Sequence, residues 1–128
     1  MNDSVKGPTI LLVEDDFDIR EALSGILRDE GYVVRGASNG REALESLHRN
    51  ADVQLILLDL MMPVMDGWAF RAEQRHEPAL ANIPVLVLSA DGSARERIAS
   101  LDAIGFLRKP VQLDALLGAV AEHALALA

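Results

Sequence analysis

Runs of consecutive apolar residues constrain the fold of this chain more than any other feature of its sequence. Thr9–Val13 and Val53–Leu58 are apolar at almost every position, which suits a β-strand buried on both faces. Further predicted strands cover Tyr32–Ala37, Pro84–Leu88 and Gly105–Arg108. Strands buried on both faces occur in parallel sheets, and parallel strands need crossover connections that are usually helices.

The segments between these runs have the pattern of helices. Apolar residues recur at helical spacing from Ile19 to Leu27, and Gly31 supplies a stop signal. The last segment carries an apolar stripe from Leu113 to Ala124. Capping residues mark the starts of three further helices: Asn39 with Glu42, Asp66 with Gly67, and Ser93 with Glu96 for a short helix reaching about Ser100.

The alternation of these elements predicts an α/β fold. Five buried strands and five helices imply a parallel sheet covered by helices on both faces, with right-handed crossovers. We expect Val53–Leu58 to be the central strand because it is the most hydrophobic. Residues 1–8 are polar and contain Gly7–Pro8, so we predict a flexible N-terminal segment followed by one domain over residues 9–128. The last helix reaches the end of the sequence, and we expect no output domain.

Composition excludes several classes of function. The net charge of -8 over 128 residues opposes direct binding to nucleic acid. No basic segment followed by an apolar leader begins the chain, so we expect a cytoplasmic protein without membrane insertion. The sequence contains no cysteine, and its histidines, His48, His76 and His123, lack ligand spacing. Any metal must therefore use oxygen ligands.

Polar residues follow four of the five predicted strands. Because the carboxyl ends of parallel strands meet at one edge of a sheet, we expect these residues to form one site. They are Glu14, Asp15 and Asp16 after the first strand, Asp59 after the third, Ser89 after the fourth and Lys109 after the fifth. Each alone has an ordinary structural explanation, as a cap, a turn or a surface charge. Their joint placement favours a functional site.

This combination of side chains is suited to phosphoryl transfer. Crowded carboxylates repel one another, which either raises a pKa or recruits a hard cation such as Mg²⁺. An aspartate beside that ion can attack a phosphoryl group and form an aspartyl phosphate. The ammonium of Lys109 and the hydroxyl of Ser89 would hold the outer oxygens of the transferred group.

Four motifs then identify a known family. From Thr9 to the last helix, the chain resembles the response-regulator receiver domains of two-component signalling, of the stand-alone type. The motifs are LVEDD at 12–16, LLDLMMPVMDG at 57–67, VLSA at 87–90 and FLRKP at 106–110. The resemblance implies a flavodoxin-like (βα)5 fold with the strand order 2-1-3-4-5.

The resemblance also implies a role for each acidic residue. Asp59 would be the phosphoacceptor, and Asp15 and Asp59 would bind Mg²⁺ directly. Glu14 would bind the ion largely through water, and the backbone carbonyl of Met61 would be a further ligand. Asp16 is left out because the family's acidic pair directly follows the strand, and in a strand-like exit the Asp16 side chain would point elsewhere.

The resemblance also implies roles for three residues that contact or respond to the phosphoryl group. By the same resemblance, Ser89 would hydrogen-bond the phosphoryl group, Lys109 would pair with it, and Phe106 would move inward as the aromatic reporter. The Lys109–Pro110 bond would be cis. The sequence differs from the usual pattern of the family in two places, which limits the properties that can be inferred from the resemblance. The segment between Ser89 and Lys109 is shorter than usual, and Phe106 lacks the hydroxyl of the more frequent tyrosine. Partner recognition could therefore differ from the common pattern.

The function that follows is a phosphorylation-dependent signalling switch. The chain would receive a phosphoryl group from a histidine kinase or phosphotransfer protein, catalyse its own phosphorylation and dephosphorylation, and signal through a downstream protein. We expect a monomer when it is unphosphorylated. One alternative is a receiver-like interaction module that works without phosphorylation. Another is a phosphohydrolase, but it would need a second acid soon after the nucleophile, and Leu60–Met61 offers none.

Overall fold

The computed structural model describes residues 7–90 and 98–127. Within this part of the chain, five strands alternate with four helices: β1 (Thr9–Val13), α1 (Phe17–Asp29), β2 (Val33–Ala37), α2 (Gly40–Arg49), β3 (Leu55–Asp59), α3 (Gly67–Arg75), β4 (Val85–Ser89), β5 (Gly105–Arg108) and α4 (Leu113–Leu127). All neighbouring strands are parallel. Their order is β2-β1-β3-β4-β5, which confirms the expected topology with β3 at the centre.

Two hydrophobic cores explain why the strand sequences are continuously apolar. Side chains alternate between the two faces of a sheet. Leu11 and Val13 of β1 pack in the core that includes residues of α2 and α3. Ile10 and Leu12 pack in the core that includes residues of α1 and α4. Both faces of β1 are therefore covered, and the same holds for β3 and β4.

The two edge strands differ from the prediction of five fully buried strands. Every residue of β1, β3 and β4 is buried, whereas β2 and β5 are only partly buried. The prediction was wrong for these two strands because each has a neighbour on one side only, and the helices cover the sheet best at its centre. Their less apolar sequences agree with this position.

Capping residues begin two of the helices where the sequence predicted. Asn39 accepts a hydrogen bond from the Glu42 N–H at 2.9 Å, and Asp66 accepts one from the Ala69 N–H at 2.8 Å. The Glu42 carboxylate accepts a hydrogen bond from the Ser38 N–H at 2.8 Å, one residue before the cap itself. This hydrogen bond is the main reason that the pKa of Glu42 is lowered.

The predicted short helix between β4 and β5 lies mostly outside the described residues. Its capping residues, Ser93 and Glu96, fall within residues 91–97, and the description resumes with a helical turn at residues 98 and 99. In the described ranges, no helix is long and apolar enough to cross a membrane.

We predict that Gly25→Ala stabilises the protein. Gly25 lies in the middle of α1, and a methyl group there would contact nothing within 4 Å. Alanine lowers the conformational entropy of the unfolded chain and favours the helix, so we expect the free energy of unfolding to rise by about 0.5–1 kcal/mol. Urea denaturation measures the change.

Gly67→Ala is the matched control for this prediction. At Gly67, the added carbon would lie 2.7 Å from the Asp59 backbone oxygen, closer than such contacts allow. The same substitution should therefore destabilise the protein at this position. Equal effects at the two glycines would contradict the explanation.

Candidate functional site

The carboxyl ends of the strands bring four of the predicted residues to one edge of the sheet. Asp59 and Ser89 are the last residues of β3 and β4, and Glu14 and Lys109 come directly after β1 and β5. The carboxyl ends of neighbouring strands lie side by side, because Val13 pairs with Leu58 and Ser89 pairs with Arg108. Glu14, Asp59 and Ser89 are only 1–3% exposed, so the strand ends form a buried polar pocket.

Lys109 links two buried carboxylates across the pocket. Its Nζ lies 2.6 Å from Glu14 Oε1 and 3.2 Å from Asp59 Oδ2. The Lys109 N–H also donates to the Ser89 backbone oxygen at 2.8 Å. The Lys109–Pro110 bond is cis, as expected. One ammonium group therefore balances part of the negative charge contributed by two different strands.

The pKa shifts follow from this burial and pairing. Burial raises the pKa of Glu14, and hydrogen bonds from Lys109 and the Asp16 N–H only partly oppose the rise. Burial would lower the pKa of Lys109, but its hydrogen bond to Glu14 and the charges of Asp59 and Glu14 raise it overall. Burial therefore disfavours the charged form of Glu14, whereas the two neighbouring acids favour the charged form of Lys109.

The acidic residues fit a hard divalent cation. Oxygen atoms of Glu14, Asp15 and Asp59 all lie within 4.8 Å of one another. The donor set consists of carboxylates alone, which suits Mg²⁺ rather than a softer metal. Asp15 is exposed while the other two are buried, so the cluster is open to solvent on one side. Such an opening allows Mg²⁺ to keep several of its waters.

The Met61 backbone, whose carbonyl is the other predicted metal ligand, contacts one acid of this cluster through its N–H. The Met61 N–H donates to Asp59 Oδ1 at 3.2 Å, so the Met61 backbone adjoins the phosphoacceptor candidate. The Met61 side chain is 68% exposed and has no place in the pocket. Asp16, which the sequence analysis left out, caps α1 by accepting from the Ile19 N–H at 3.0 Å.

The turn after β3 depends on glycine. The Gly67 N–H donates to the Leu60 backbone oxygen at 3.0 Å, which brings the start of α3 against the end of β3. A side chain at Gly67 would meet Asp59 and Leu60 at less than 3 Å. The Asp-Gly pair at 66–67 thus caps α3 and permits the close approach that sets the position of Asp59.

The candidate switch residues lie on neighbouring strands. Ser89 is buried in the pocket. Phe106 pairs in register with Val87 of β4 and is a partly buried residue packed against the core on the α2 and α3 side. A cavity of about 370 Å³ adjoins Phe106, lined by Ile98, Ala99, Ala103 and Gly105.

Sequence patterns missed one residue that contacts the site. Arg20 in α1 donates from Nη1 to the Glu14 backbone oxygen at 2.7 Å. In the sequence, Arg20 is one charged residue on the polar face of an amphipathic helix, and no motif distinguished it. Only the turn of the chain between β1 and α1 brings its side chain back to Glu14.

Comparisons with known proteins agree with this fold. The family model described as the response regulator receiver domain matches residues 10–121. The transcriptional regulatory protein CpxR homolog of Haemophilus influenzae is 41% identical over 93 residues, which cover 73% of this chain and 39% of that protein. The response regulator MprA of Mycobacterium leprae is 41% identical over 113 residues, covering 87% of this chain and 48% of that protein.

Solved structures show the same likeness. The chemotaxis response regulator CheY4 of Vibrio cholerae has a TM-score of 0.83 at 32% identity, covering 92% of this chain and 99% of its own. The receiver domain of a signal transduction histidine kinase from Syntrophus aciditrophicus has a TM-score of 0.86 at 33% identity, covering 94% and 92%. The chain spans 36–54% of the length of the curated relatives that it matches. From its matched residues, fold and strand order, the chain belongs to the family of response-regulator receiver domains.

Proposed function

We propose that the protein is a cytoplasmic phosphorylation-dependent switch in which Asp59 accepts a phosphoryl group at a Mg²⁺ site. The observation that carries the proposal is the meeting of Asp59, Glu14 and Lys109 in one buried pocket, with Asp15 at its open side. A buried carboxylate with a fixed ammonium group beside it suits a nucleophile whose product carries additional negative charge.

The chemistry at Asp59 is a displacement at phosphorus. A carboxylate oxygen of Asp59 forms the new O–P bond while the P–N bond to a donor histidine breaks, and the released imidazole takes up a proton. Lys109 lies 3.2 Å from Asp59 Oδ2 and is placed to neutralise the arriving charge. Mg²⁺, held by Glu14, Asp15, Asp59 and the Met61 carbonyl, would supply further charge neutralisation. Hydrolysis of the acyl phosphate by water then resets the switch.

The partners form part of the same proposal. Receiver domains interact with histidine kinases, and we propose a histidine kinase or phosphotransfer protein as the donor. Several relatives are transcriptional regulators, but this chain matches only part of their length. We propose that output passes through a protein partner rather than direct contact with nucleic acid, because the net charge of -8 opposes binding to phosphates. Ser89 and Phe106 would respond to the new charge.

Intact-protein mass after incubation with Mg²⁺ and acetyl phosphate tests the proposal. We expect one added phosphoryl group on the parent protein and none on Asp59→Asn, because the amide is not a nucleophile for this reaction. Asp16→Asn is the matched control: it makes the same chemical change nearby and keeps a side chain able to cap α1, so its adduct should remain.

Two results would contradict the proposed phosphorylation of Asp59. An adduct on Asp59→Asn equal to that on the parent would place the acceptor elsewhere. If the parent fails to react with acetyl phosphate, with a histidine-kinase donor and with beryllofluoride, the phosphorylation-independent interaction module would replace the proposed switch.

A further inference from the structure

We infer that Arg20 is a positioning residue for the Mg²⁺ site, acting through the backbone between Glu14 and Asp15. The inference rests on the proposed function, since it concerns how the same site is held in shape. It assigns a role to a side chain on α1 that does not itself offer a ligand to the metal.

Three contacts hold the Arg20 side chain in place. Its Nη1 donates to the Glu14 backbone oxygen at 2.7 Å. Its aliphatic stem lies over Gly36 of β2, where an added Cβ would be 3.3 Å from the Arg20 Cδ. Its guanidinium carbon lies 5.5 Å from the centre of the Phe17 ring. The arginine is thus packed between α1 and β2 rather than extended into solvent.

The atom that Arg20 binds belongs to the peptide unit joining the first two acidic residues. A peptide unit is planar, so the orientation of the Glu14 carbonyl also sets the directions in which the chain leaves toward Glu14 and Asp15. Only residues 14–16 separate β1 from α1. A hydrogen bond to the Glu14 carbonyl therefore limits rotation of the peptide plane that joins Glu14 to Asp15, the two residues that carry these carboxylates.

Other hydrogen bonds of this turn hold the peptide units on either side of the Glu14–Asp15 unit. The Glu14 N–H donates to the Ala37 backbone oxygen at 3.0 Å, which fixes the preceding peptide unit. Glu14 Oε2 accepts from the Asp16 N–H at 3.1 Å, which fixes the following one. Arg20 supplies the contact to the middle unit. Residues that orient metal ligands in this way commonly change metal affinity by tenfold or more when removed.

The inference is testable because the charge of Arg20 and its positioning role predict opposite changes in Mg²⁺ affinity when Arg20 is removed. A guanidinium group near a cluster of carboxylates repels a divalent cation. If only its charge mattered, removing Arg20 would strengthen Mg²⁺ binding. If Arg20 positions the ligands, its removal weakens Mg²⁺ binding even though the local charge becomes more negative.

The test is the dissociation constant for Mg²⁺ alone, measured by isothermal titration calorimetry on the full chain. For Arg20→Met we expect binding about tenfold weaker than in the parent. For Arg20→Lys, which keeps the charge and one donor, we expect an intermediate value. Unchanged or tighter binding by Arg20→Met would overturn the inference.

Arg28→Met is the matched control. Arg28 lies on the same helix and also donates to a backbone oxygen, that of Val34 at 3.2 Å, but eight residues further along. The substitution removes the same charge and a similar hydrogen bond at a place remote from the acids, so Mg²⁺ affinity should match the parent. Equal weakening by both variants would show a general effect on the helix and overturn the inference.

Asp15→Asn separates failure of the inference from failure of the site. If the parent binds Mg²⁺ and Asp15→Asn does not, the site stands and the Arg20 variants decide the inference alone. If the parent binds Mg²⁺ no better than Asp15→Asn does, the proposed metal site and the inference both fail.

Discussion

Replacing Lys109 with methionine is expected to lower the free energy of unfolding by about 2–3 kcal/mol at pH 7 without Mg²⁺. Lys109 is the ammonium group between Glu14 and Asp59, which are 1% and 3% exposed. Without it, two desolvated carboxylates face each other with no cation between them. Urea denaturation in the presence of a chelator measures the loss.

The same variant should regain stability relative to the parent as the pH falls. Burial already raises the pKa of Glu14 in the parent, and Lys109 partly opposes that rise. In Lys109→Met the pKa of Glu14 therefore moves higher still. Between the ordinary value of 4.5 and the raised value, the folded state binds more protons than the unfolded state. The contribution of Glu14 to the stability of the variant then increases as the pH falls through this window, so the difference from the parent narrows.

A second substitution separates charge repulsion from lost packing. In Lys109→Met with Glu14→Gln, one of the two facing charges is absent, so most of the loss should be recovered. Millimolar Mg²⁺ should also stabilise the single variant if the acids bind the ion as proposed. A single variant as stable as the parent at pH 7, or one whose loss of stability relative to the parent does not shrink on acidification to pH 5, would contradict this account of the pocket.

Arg71→Met is expected to destabilise the protein by about 3 kcal/mol. Arg71 of α3 is 5% exposed, and it donates to the Leu101 oxygen at 2.9 Å, the Asp102 oxygen at 3.1 Å and Gln74 Oε1 at 2.8 Å. Methionine keeps much of the apolar stem but leaves these acceptors without their donor, and each unsatisfied buried group costs about 1 kcal/mol or more. The measurement is urea denaturation at neutral pH.

Arg75→Met provides the control for Arg71. It lies one helical turn further on and donates to the Ser100 oxygen at 3.2 Å from an exposed position, where water can replace the bond. Its loss should be about 0.5 kcal/mol or less. If Arg71→Met costs no more than Arg75→Met, the buried network does not hold α3 to the segment before β5.

Much of the fold was predictable from sequence because a strand that is buried on both faces has a continuous run of apolar residues. The strands β1, β3 and β4 are continuously apolar, and their positions were predicted to within two residues. Strand β3 shows the limit of this signal: it begins at Leu55 rather than Val53 and includes Asp59. Apolar periodicity does not register backbone pairing, which decides where a strand begins and ends.

The candidate site was predictable for a different reason. Parallel strands place their carboxyl ends at one edge, so Glu14, Asp59, Ser89 and Lys109 had to converge once the strands were assigned. The sequence did not reveal which acid would pair with Lys109. In the structure, its closest carboxylate is Glu14 at 2.6 Å, rather than the phosphoacceptor candidate Asp59 at 3.2 Å.

The sequence by itself determined the order of the elements, the central strand and the edge of the sheet that carries the acidic residues, because these follow from local apolar patterning and the direction of parallel strands. Only the tertiary structure decided the roles of Arg20 and Arg71, which bind the backbone oxygens of Glu14, Leu101 and Asp102. A backbone oxygen is present at every residue, so no pattern of residue types reveals which one an arginine will reach. That choice depends on how the helices pack against the sheet.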